Sequence, residues 1–294
     1  MLNWYKSAMA ADKPLLRKLA EEVLGREAAS KIWKRIEVIG DIAIIRKPFD
    51  VDVDMLRPLA ERLLEVLPYV NSVWVAITPV RGQKRLREYM HLAGEPRSET
   101  VYKEHGCLFA LDIRRVYISP VLGYDHIRVA RMVKPGEVVC NFFAGIGGYS
   151  IVISKHARPD YVISVDISSD AVRYLRLNVE LNRVGHVNEV IHGDAFEVAE
   201  AMDRIDRALL PCPELSLSLF KELIAEKVVR CNGVIHAHEF VEADRKKQAV
   251  EVAYRRYLAV SKSVGIAITL ESSHVVRSVG PRKWHVVLDL KVLC

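Results

Sequence analysis

The sequence predicts an α/β fold in which a mainly parallel sheet, covered by helices on both faces, follows a smaller α+β region. From about Pro135 onward, short apolar runs of strand length alternate regularly with segments of helical period. This alternation is typical of a parallel sheet covered on both faces. Before that point, helical and strand patterns are mixed without such alternation. The 294 residues are enough for two domains, which we place at residues 1–125 and 126–294.

Helices and strands are both predicted in the first region. Residues 14–25 carry apolar positions at helical spacing between Pro14 and Gly25, residue types that commonly begin and end a helix. The β-branched segment 36–45 predicts a strand pair that turns at Gly40 and Asp41. The other predictions are a helix over 53–67 and strands over 72–77, 99–103 and 107–113.

The second region is predicted to follow a strand–helix order. The predicted strands are 137–141, 161–165, 189–192, 207–211 and 233–237, with two closing strands near 265–270 and 285–292. The predicted helices follow Gly147 and cover 170–182 and 215–227.

Composition narrows the class of protein. The net charge of +6 and the isoelectric point near 9.0 permit a polyanionic partner without requiring one. No apolar run approaches the ~20 residues that span a bilayer, and the N-terminus lacks the apolar core of a secretion signal. We therefore expect a cytoplasmic protein without a membrane partner.

Cysteine and histidine spacing does not indicate a metal site. The five cysteines form no CxxC pair, so we expect reduced thiols and no structural zinc. His236, His238 and Glu239 form an HxHE run at the end of the fifth predicted strand, but the two histidines stand at alternate strand positions with no third ligand nearby. No metal is expected.

A glycine-rich turn follows the first strand of the second region, with the sequence NFFAGIG at 141–147. Such a turn lets the backbone approach a ligand and points helix N–H groups at it. The next two strands end at Asp166, placed to hold ribose hydroxyls, and at Asp194, placed to pair with an adenine edge. Three such features at consecutive strand ends indicate an adenosyl cofactor rather than a merely structural turn.

S-adenosylmethionine (SAM) is favoured over NAD because the turn reads FAGIGG rather than GxGxxG. A long connection and a closing strand pair, as in SAM-dependent methyltransferases, support this choice. NAD stays the alternative. The predicted cofactor-binding residues are Asn141, Phe143, Ala144, Gly145, Gly147, Asp166, Ile167, Asp194, Ala195 and Pro211.

Several segments together resemble the archaeal–eukaryotic tRNA (guanine-37-N1)-methyltransferases, a superfamily that includes wybutosine-pathway enzymes transferring an aminocarboxypropyl group from SAM. These segments are 39–43, 102–106, 141–147, 178–182, 192–194 and 281–289. The resemblance implies a class I Rossmann-type SAM-dependent methyltransferase domain, with tRNA as partner and N1 of guanosine 37 as acceptor. We also expect a monomer. Since only some 30 residues precede the matched region, we expect the family's small N-terminal domain to be absent.

The resemblance also implies catalytic residues. The family motif FSPRxxxER aligns with 118–126, which places Asp125 at the position of the glutamate that removes the N1 proton. The alternative for Asp125 is a solvated loop carboxylate or a helix N-cap. Arg85 or Arg87 falls where an arginine reaches the target guanine, although a charge run is also typical of a solvated face. The predicted RNA contacts are Arg81, Lys84, Arg85, Arg87, Arg128 and Lys283.

Departures from the family pattern leave the acceptor open. Val121 and His126 replace the two arginines of the FSPRxxxER motif, and Leu210 stands where the methyltransferases usually carry asparagine before proline. A divergent archaeal subgroup associated with wyosine-type methylation has a comparable Pro-x-Pro there. The alternatives are therefore a wybutosine-pathway transferase, of methyl or of aminocarboxypropyl, and a SAM- and RNA-binding relative with weakened catalysis.

Overall fold

The computed structural model describes residues 14–79 and 86–293. The chain divides into two compact units. The first comprises the chain up to Tyr102 together with Ala110–Val116, and the second comprises Lys103–Phe109 together with the chain from Tyr117 onward. The continuous part of the second unit thus begins a few residues before the domain boundary placed at Asp125, and that assignment of domains stays a prediction.

The first unit is a four-stranded sheet with two helices. Strands β2 and β3 are parallel, and the other neighbours in the order β1-β2-β3-β4 are antiparallel. Helix α1 is broken at Gly25, whose backbone is non-helical (φ 80°), so the predicted end of the helix is a kink after which it continues. The elements are α1 (Leu15–Lys31), β1 (Glu37–Ile39), β2 (Ile42–Arg46), a 3₁₀ turn (Asp54–Leu56), α2 (Arg57–Val66), β3 (Ser72–Ala76) and β4 (Tyr89–Gly94).

A two-stranded hairpin, β5 (Glu99–Glu104) and β6 (Cys107–Asp112), follows the first sheet. Its turn uses left-handed backbone at His105 (φ 47°) and Gly106 (φ 74°), as tight hairpin turns require. The strands predicted on either side of this turn are confirmed.

The second unit is built on a seven-stranded sheet in the order β12-β13-β11-β10-β7-β8-β9. Strands β7 to β11 run parallel. Strand β13 is antiparallel to its two neighbours, β11 and β12, so β12 runs in the same direction as the parallel strands. The strands are β7 (Val138–Asn141), β8 (Tyr161–Asp166), β9 (Asn188–His192), β10 (Ile205–Leu210), β11 (Val229–Glu242), β12 (Ile268–Gly280) and β13 (Lys283–Val292). The predicted parallel sheet with a closing strand pair is confirmed.

Six helices accompany this sheet among the described residues. They are α3 (Gly123–Met132), which follows a 3₁₀ turn at Pro120–Leu122, α4 (Gly148–His156), α5 (Ser169–Leu181), α6 (Ala195–Glu200), α7 (Ser216–Ala225) and α8 (Lys246–Ser263). Strand β4 and helices α6 and α8 are elements that the sequence patterns did not predict, and helix α3 entered only through the alternative in which Asp125 caps a helix. No helix of the described chain is both long and apolar enough to traverse a bilayer.

Strand register brings polar residues from distant parts of the sequence into one row. Asn141 on β7 pairs with Leu209 on β10, which pairs with His236 on β11. His236 pairs with Asp289 on β13, and Asp289 with Ser272 on β12. Directly paired residues point to the same face of a sheet, so the polar members of this row share one face.

The cysteines depart from the sequence expectation at one position. Cys107, Cys140 and Cys212 are free, in line with reduced thiols. Cys231, near the start of β11, is disulfide-bonded, so the expectation of a reduced thiol is wrong there. Spacing along the sequence did not indicate this bond, because Cys231 belongs to no CxxC pair. Cys294 lies outside the described residues.

Two glycines with left-handed backbone allow a matched test of close packing in this fold. Gly94 (φ +78°) ends β4, and a Cβ there would lie 2.3 Å from the backbone oxygen of Asn71. Gly136 (φ +81°) has nothing within 4 Å of a Cβ. We expect Gly136→Ala to lower the free energy of unfolding by about 1 kcal/mol, from backbone strain alone. Gly94→Ala should lower it by about 3 kcal/mol, because a backbone carbonyl must also move. Urea unfolding measures both, and equal losses would contradict the close approach.

Candidate cofactor and active site

The glycine-rich turn lies between β7 and α4 at the carboxyl edge of the sheet. The N–H of Phe142 donates to the Leu209 carbonyl (3.1 Å), and the N–H of Ala144 donates to the Val165 carbonyl (2.8 Å). Both bonds anchor the turn to neighbouring strands. Gly145 (φ 56°) and Gly147 (φ 99°) have left-handed backbone, which other residues adopt only with strain. The turn is therefore rigidly placed and has no side chains at its two sharpest points.

Asp166 lies beneath this turn at the end of β8. Its Oδ2 accepts a hydrogen bond from the Gly145 N–H (2.7 Å), and its Oδ1 accepts one from the Ser168 N–H (2.9 Å). Burial raises the pKa of Asp166 from its ordinary value, against the opposing effect of these backbone donors. The next residue, Ile167, is 53% exposed. A fixed carboxylate beside an exposed apolar side chain suits a sugar with an attached ring system.

Asp194 follows the third parallel strand. Its Oδ1 accepts a hydrogen bond from the Phe196 N–H (2.8 Å), so that Asp194 caps helix α6. Ala195 is the buried first residue of that helix, and Pro211 is half-buried directly after β10. The carboxyl ends of β7, β8, β9 and β10 thus bring the predicted cofactor residues to one edge of the sheet. Their contacts with a ligand stay a prediction.

Asn141 supplies a buried acceptor at the same edge. Its Nδ2 donates to Ser150 Oγ (3.1 Å). Its Oδ1 is buried and has no hydrogen-bond partner among the described residues. Buried polar atoms are nearly always paired, so this orphaned oxygen marks a place where a donor of a bound molecule fits. Together with the glycine turn, the carboxylates and the exposed Ile167, it makes a donor and acceptor set that fits SAM.

Asp125 lies in the first turn of α3 and is buried, with 1% exposure. Its Oδ1 accepts a hydrogen bond from Arg128 Nε (2.7 Å), and its Oδ2 accepts one from the Tyr149 hydroxyl (2.5 Å). The solvated-loop alternative for Asp125 is therefore wrong. The N-cap alternative is also wrong, because the N-cap of α3 is Leu122 and no side chain caps that helix.

Two histidines also face the Asp125 carboxylate. His238 Nε2 is 3.5 Å from Oδ2, and His274 Nε2 is 3.3 Å from Oδ1. Burial raises the pKa of Asp125, but His238, Arg128 and Tyr149 together hold that pKa well below its usual range. A carboxylate so strongly stabilised as an anion is a weak proton acceptor by itself. The predicted role of Asp125 as the base is not tested by these contacts and stays a prediction.

Arg128 joins two buried carboxylates. Its Nε donates to Asp125, its Nη1 and Nη2 donate to Asp289 (2.5 and 3.0 Å), and its side chain is 16% exposed. These ion pairs do not test the predicted contact of Arg128 with RNA, which stays a prediction. Charge counting along the sequence could not distinguish a buried arginine from a surface one.

The polar network continues across the sheet from Asp289. His236 Nδ1 lies 2.6 Å from Asp289 Oδ1, and His236 Nε2 lies 2.7 Å from Arg207 Nη1. Arg207 also bonds Glu137 through Nε (2.7 Å) and Nη2 (3.0 Å). Burial lowers the pKa of His236 despite Asp289. Within the part of the chain that the structure describes, no cluster of His, Cys, Asp or Glu is arranged to hold a metal ion.

A second branch runs from Asp125 along β11. The Tyr149 hydroxyl also lies 2.9 Å from His238 Nε2, and His238 Nδ1 lies 2.9 Å from His285 Nε2. His126, which replaces a family arginine, is buried with Nδ1 2.6 Å from Glu104 Oε1. Its ring also stacks edge-on against Tyr149, with centroids 4.4 Å apart. Residues at both ends of the unit's sequence thus meet around Asp125.

The remaining predicted residues lie elsewhere. Arg81, Lys84 and Arg85 fall outside the described residues. In the first unit, Arg87 Nη1 donates to Glu37 Oε2 (3.1 Å), and the Arg87 side chain is 13% exposed. In the second unit, Lys283 is exposed, with Nζ 5.7 Å above the Phe240 ring. Neither contact tests the predicted binding of RNA by these residues.

Comparison with known proteins places the chain in a family. Residues 100–267 match the model of the TRM5/TYW2 methyltransferase domain. This chain belongs to the TRM5/TYW2 methyltransferase family. It is 39% identical over 279 residues to the tRNA 4-demethylwyosine(37)-methyltransferase Taw21 of Saccharolobus solfataricus, covering 95% of this chain and 99% of that relative. The predicted family is confirmed.

Two further relatives extend the comparison. The tRNA (guanine(37)-N(1))-methyltransferase Trm5b of Pyrococcus abyssi is 31% identical over 257 residues, covering 87% of this chain and 74% of the relative. The crystal structure of TYW2 of Pyrococcus horikoshii, in complex with MeSAdo, superposes with a TM-score of 0.74 at 25% identity, covering 96% of this chain and 99% of that one. The predicted fold class, a Rossmann-type methyltransferase domain preceded by a smaller domain, is confirmed.

Sequence reasoning missed most of the network around Asp125. Tyr149, Asp289, His274 and Glu104 were not singled out. Asp289 did carry a signal, because it interrupts the apolar run VVLDLKV of the last strand, and a buried carboxylate requires partners. The partners themselves lie up to 161 residues away, which no local pattern reveals.

The ion pairs of Arg128 predict a large effect on stability. In Arg128→Met the buried carboxylates of Asp125 and Asp289 lose their shared cation, and breaking a buried pair costs about 3–5 kcal/mol. The matched control is Arg255→Met, which removes an exposed ion pair with Glu251 (75% and 61% exposed). It should lower the free energy of unfolding by at most about 0.5 kcal/mol. Urea unfolding followed by circular dichroism compares the two. Similar losses in both variants would show that Arg128 does not stabilise buried charge.

Proposed function

We propose that this chain is a SAM-dependent methyltransferase that modifies the nucleoside at position 37 of tRNA. The observation that carries the proposal is the sheet edge on which the glycine turn, Asp166 and Asp194 meet, in a chain that spans 99% of a tRNA position-37 methyltransferase. A monomeric, cytoplasmic protein remains the expectation from sequence.

The cofactor residues act by position and charge. Asp166 holds the two ribose hydroxyls, since its carboxylate is already oriented by backbone donors. Ile167 covers one face of the adenine, and Asp194 pairs with the adenine amino group. Asn141 Oδ1 accepts a hydrogen bond from the amino group of the methionine part. SAM itself supplies a methyl group on a positively charged sulfur, which is ready to be taken by a nucleophile.

The acceptor must lose a proton. Guanine N1 carries a hydrogen and is a poor nucleophile until that hydrogen leaves, and the negative charge that then develops toward O6 needs a donor. Asp125 is the carboxylate of this step, and Arg85 or Arg87 is the donor at O6. The residues that surround Asp125 keep it anionic, so it acts together with its neighbours rather than as a lone base.

The second candidate acceptor is 4-demethylwyosine at the same position. It is favoured by the 39% identity over nearly the whole of Taw21, against 31% over 74% of Trm5b. Leu210 also favours this acceptor. It is buried at the end of β10, and its side chain has no group that can form a hydrogen bond with a guanine edge. Aminocarboxypropyl transfer has less support, because the relatives named for it are 26% and 25% identical.

Cofactor binding through Asp166 can be measured directly. Asp166→Ala removes an anion that bonds the ribose, and a charge-assisted hydrogen bond contributes about 1.5–3 kcal/mol. Calorimetric titration with SAM should therefore show at least tenfold weaker binding. The matched control is Asp160→Ala, an exposed aspartate just before the opposite end of β8, which should bind SAM like the wild type. Equal affinity in Asp166→Ala and the wild type would refute the cofactor assignment.

The acceptor is identified by methyl transfer to two tRNAs. The protein is incubated with SAM labelled in the methyl group and either an unmodified tRNA transcript or the same tRNA carrying 4-demethylwyosine. Digestion and mass spectrometry identify the labelled nucleoside. We expect label in position 37 of at least one tRNA, and the ratio of rates decides between the two acceptors. If neither tRNA is labelled while SAM binds, the proposed function is wrong. SAM labelled in the aminocarboxypropyl chain tests the other transfer.

A further inference from the structure

His274 is a titratable residue beside Asp125 that the roles described above do not use. It lies on β12, with Nε2 3.3 Å from Asp125 Oδ1. Its side chain is 25% exposed, and its ring stands edge-on to Tyr124 with centroids 6.0 Å apart. Tyr124 is 69% exposed. His274 is therefore the histidine facing Asp125 whose surroundings reach the surface, since His238 is buried with 1% exposure.

Strand register places His274 at the same edge of the sheet as the cofactor turn. His274 pairs with Val287 on β13, and Val287 pairs with His238 on β11. Since Ala237 pairs with Leu210, His238 and His274 lie one residue beyond the end of β10, at the level of Pro211. They also share the face of the sheet that carries Asp289 and His236, two residues away on each strand.

The neighbours of His274 favour one of the two tautomers of its ring. The Asp125 anion attracts the Nε2 proton and leaves Nδ1 as the unprotonated nitrogen. Nδ1 is buried and has no hydrogen-bond partner among the described residues. Burial lowers the pKa of His274, against the attraction of Asp125, and Arg128 and His238 lower it further. The charged and titratable groups acting on the ring are Asp125, Arg128, His238 and Asp289, and they leave it neutral at neutral pH.

We propose that Nδ1 of His274 accepts the proton that the target nucleobase loses, and that Asp125 is the positioning residue that orients this histidine. The proposal rests on the proposed function and names the proton acceptor within it. Asp125 is engaged by Arg128, Tyr149 and two histidines, whereas Nδ1 of His274 has no hydrogen-bond partner within the described part of the chain, and the ring that carries it packs edge-on against the exposed Tyr124.

The proton transfer balances in charge. The bond between the acceptor atom of the nucleobase and its hydrogen breaks, and its electron pair stays on the nucleobase, where the methyl group is taken up. The proton forms a new bond to Nδ1, and the ring becomes an imidazolium next to the Asp125 anion. The imidazolium returns to its neutral form when a proton passes to water after the modified tRNA has left the site.

Single-turnover kinetics test the role of Nδ1. His274→Gln keeps a donor near Nε2 for Asp125 but has no basic nitrogen, so methyl transfer at saturating SAM and tRNA should fall at least 100-fold, as for loss of a general base. SAM affinity by calorimetry should stay within twofold, which also shows that the variant is folded. His186→Gln, at an exposed histidine of the same unit, should transfer at the wild-type rate. A His274→Gln rate within threefold of the wild type would overturn the proposal.

Nitrogen NMR of imidazole rings gives a readout that needs no turnover. In protein labelled with ¹⁵N-histidine, the resonances that disappear in His274→Gln belong to His274. We expect a neutral ring with the proton on Nε2 at pH 7, and we expect Asp125→Asn to disturb this preference. A protonated ring, or a proton on Nδ1, would overturn the proposal whatever the activity. Absence of transfer by the wild type to both tRNAs would instead refute the proposed function, so the two failures are distinguishable.

Discussion

The ion pairs of Arg128 with Asp125 and Asp289 are the constraint on which the second unit's polar interior depends. Two carboxylates with at most 1% side-chain exposure share one guanidinium. Buried charges are tolerated only when they are paired and hydrogen-bonded. Because Arg128 and Asp125 lie on α3 and Asp289 lies on β13, this requirement fixes the helix against the closing strands. The residues just before α3 are thereby held at the carboxyl edge of the sheet.

The same charges determine the protonation of the histidines around them. Arg128 keeps Asp125 and Asp289 anionic, and each anion orients an imidazole, Asp289 that of His236 and Asp125 that of His274. Arg207 approaches the opposite nitrogen of His236 and is itself neutralised by Glu137. Positive and negative groups thus alternate across the sheet. The network ends on His274, whose side chain is 25% exposed, whereas His236 and His238 are buried.

The fold and the cofactor edge could be predicted because their signals are local. The strands around Gly40, the hairpin turn at His105 and Gly106, and the order of the glycine turn, Asp166 and Asp194 all follow from short patterns. Strand β4 was missed because its neighbourhood is dominated by basic residues, and α8 because its apolar face is narrow. The network could not be predicted, since Asp125 and Asp289 become neighbours only through strand register and helix packing. The two ion pairs of Arg128 were missed for the same reason.

The buried network gives a physical reason for the departures from the family motif. Where the motif has a second arginine, this chain has His126, which is buried against Glu104 and packs on Tyr149. A guanidinium in place of this ring would bring a permanent charge into a buried position, where it must be fully paired to be tolerated. The shorter carboxylate at 125 is reached by the single guanidinium three residues later on the same helix. The carboxylate at position 125 is therefore paired with a cation of its own helix, Arg128, while the two arginine positions of the motif carry Val121 and His126. Val121 and Tyr124, which precede Asp125 in the motif, are 48% and 69% exposed, so the carboxylate is buried while the segment that carries it presents apolar and aromatic side chains to solvent.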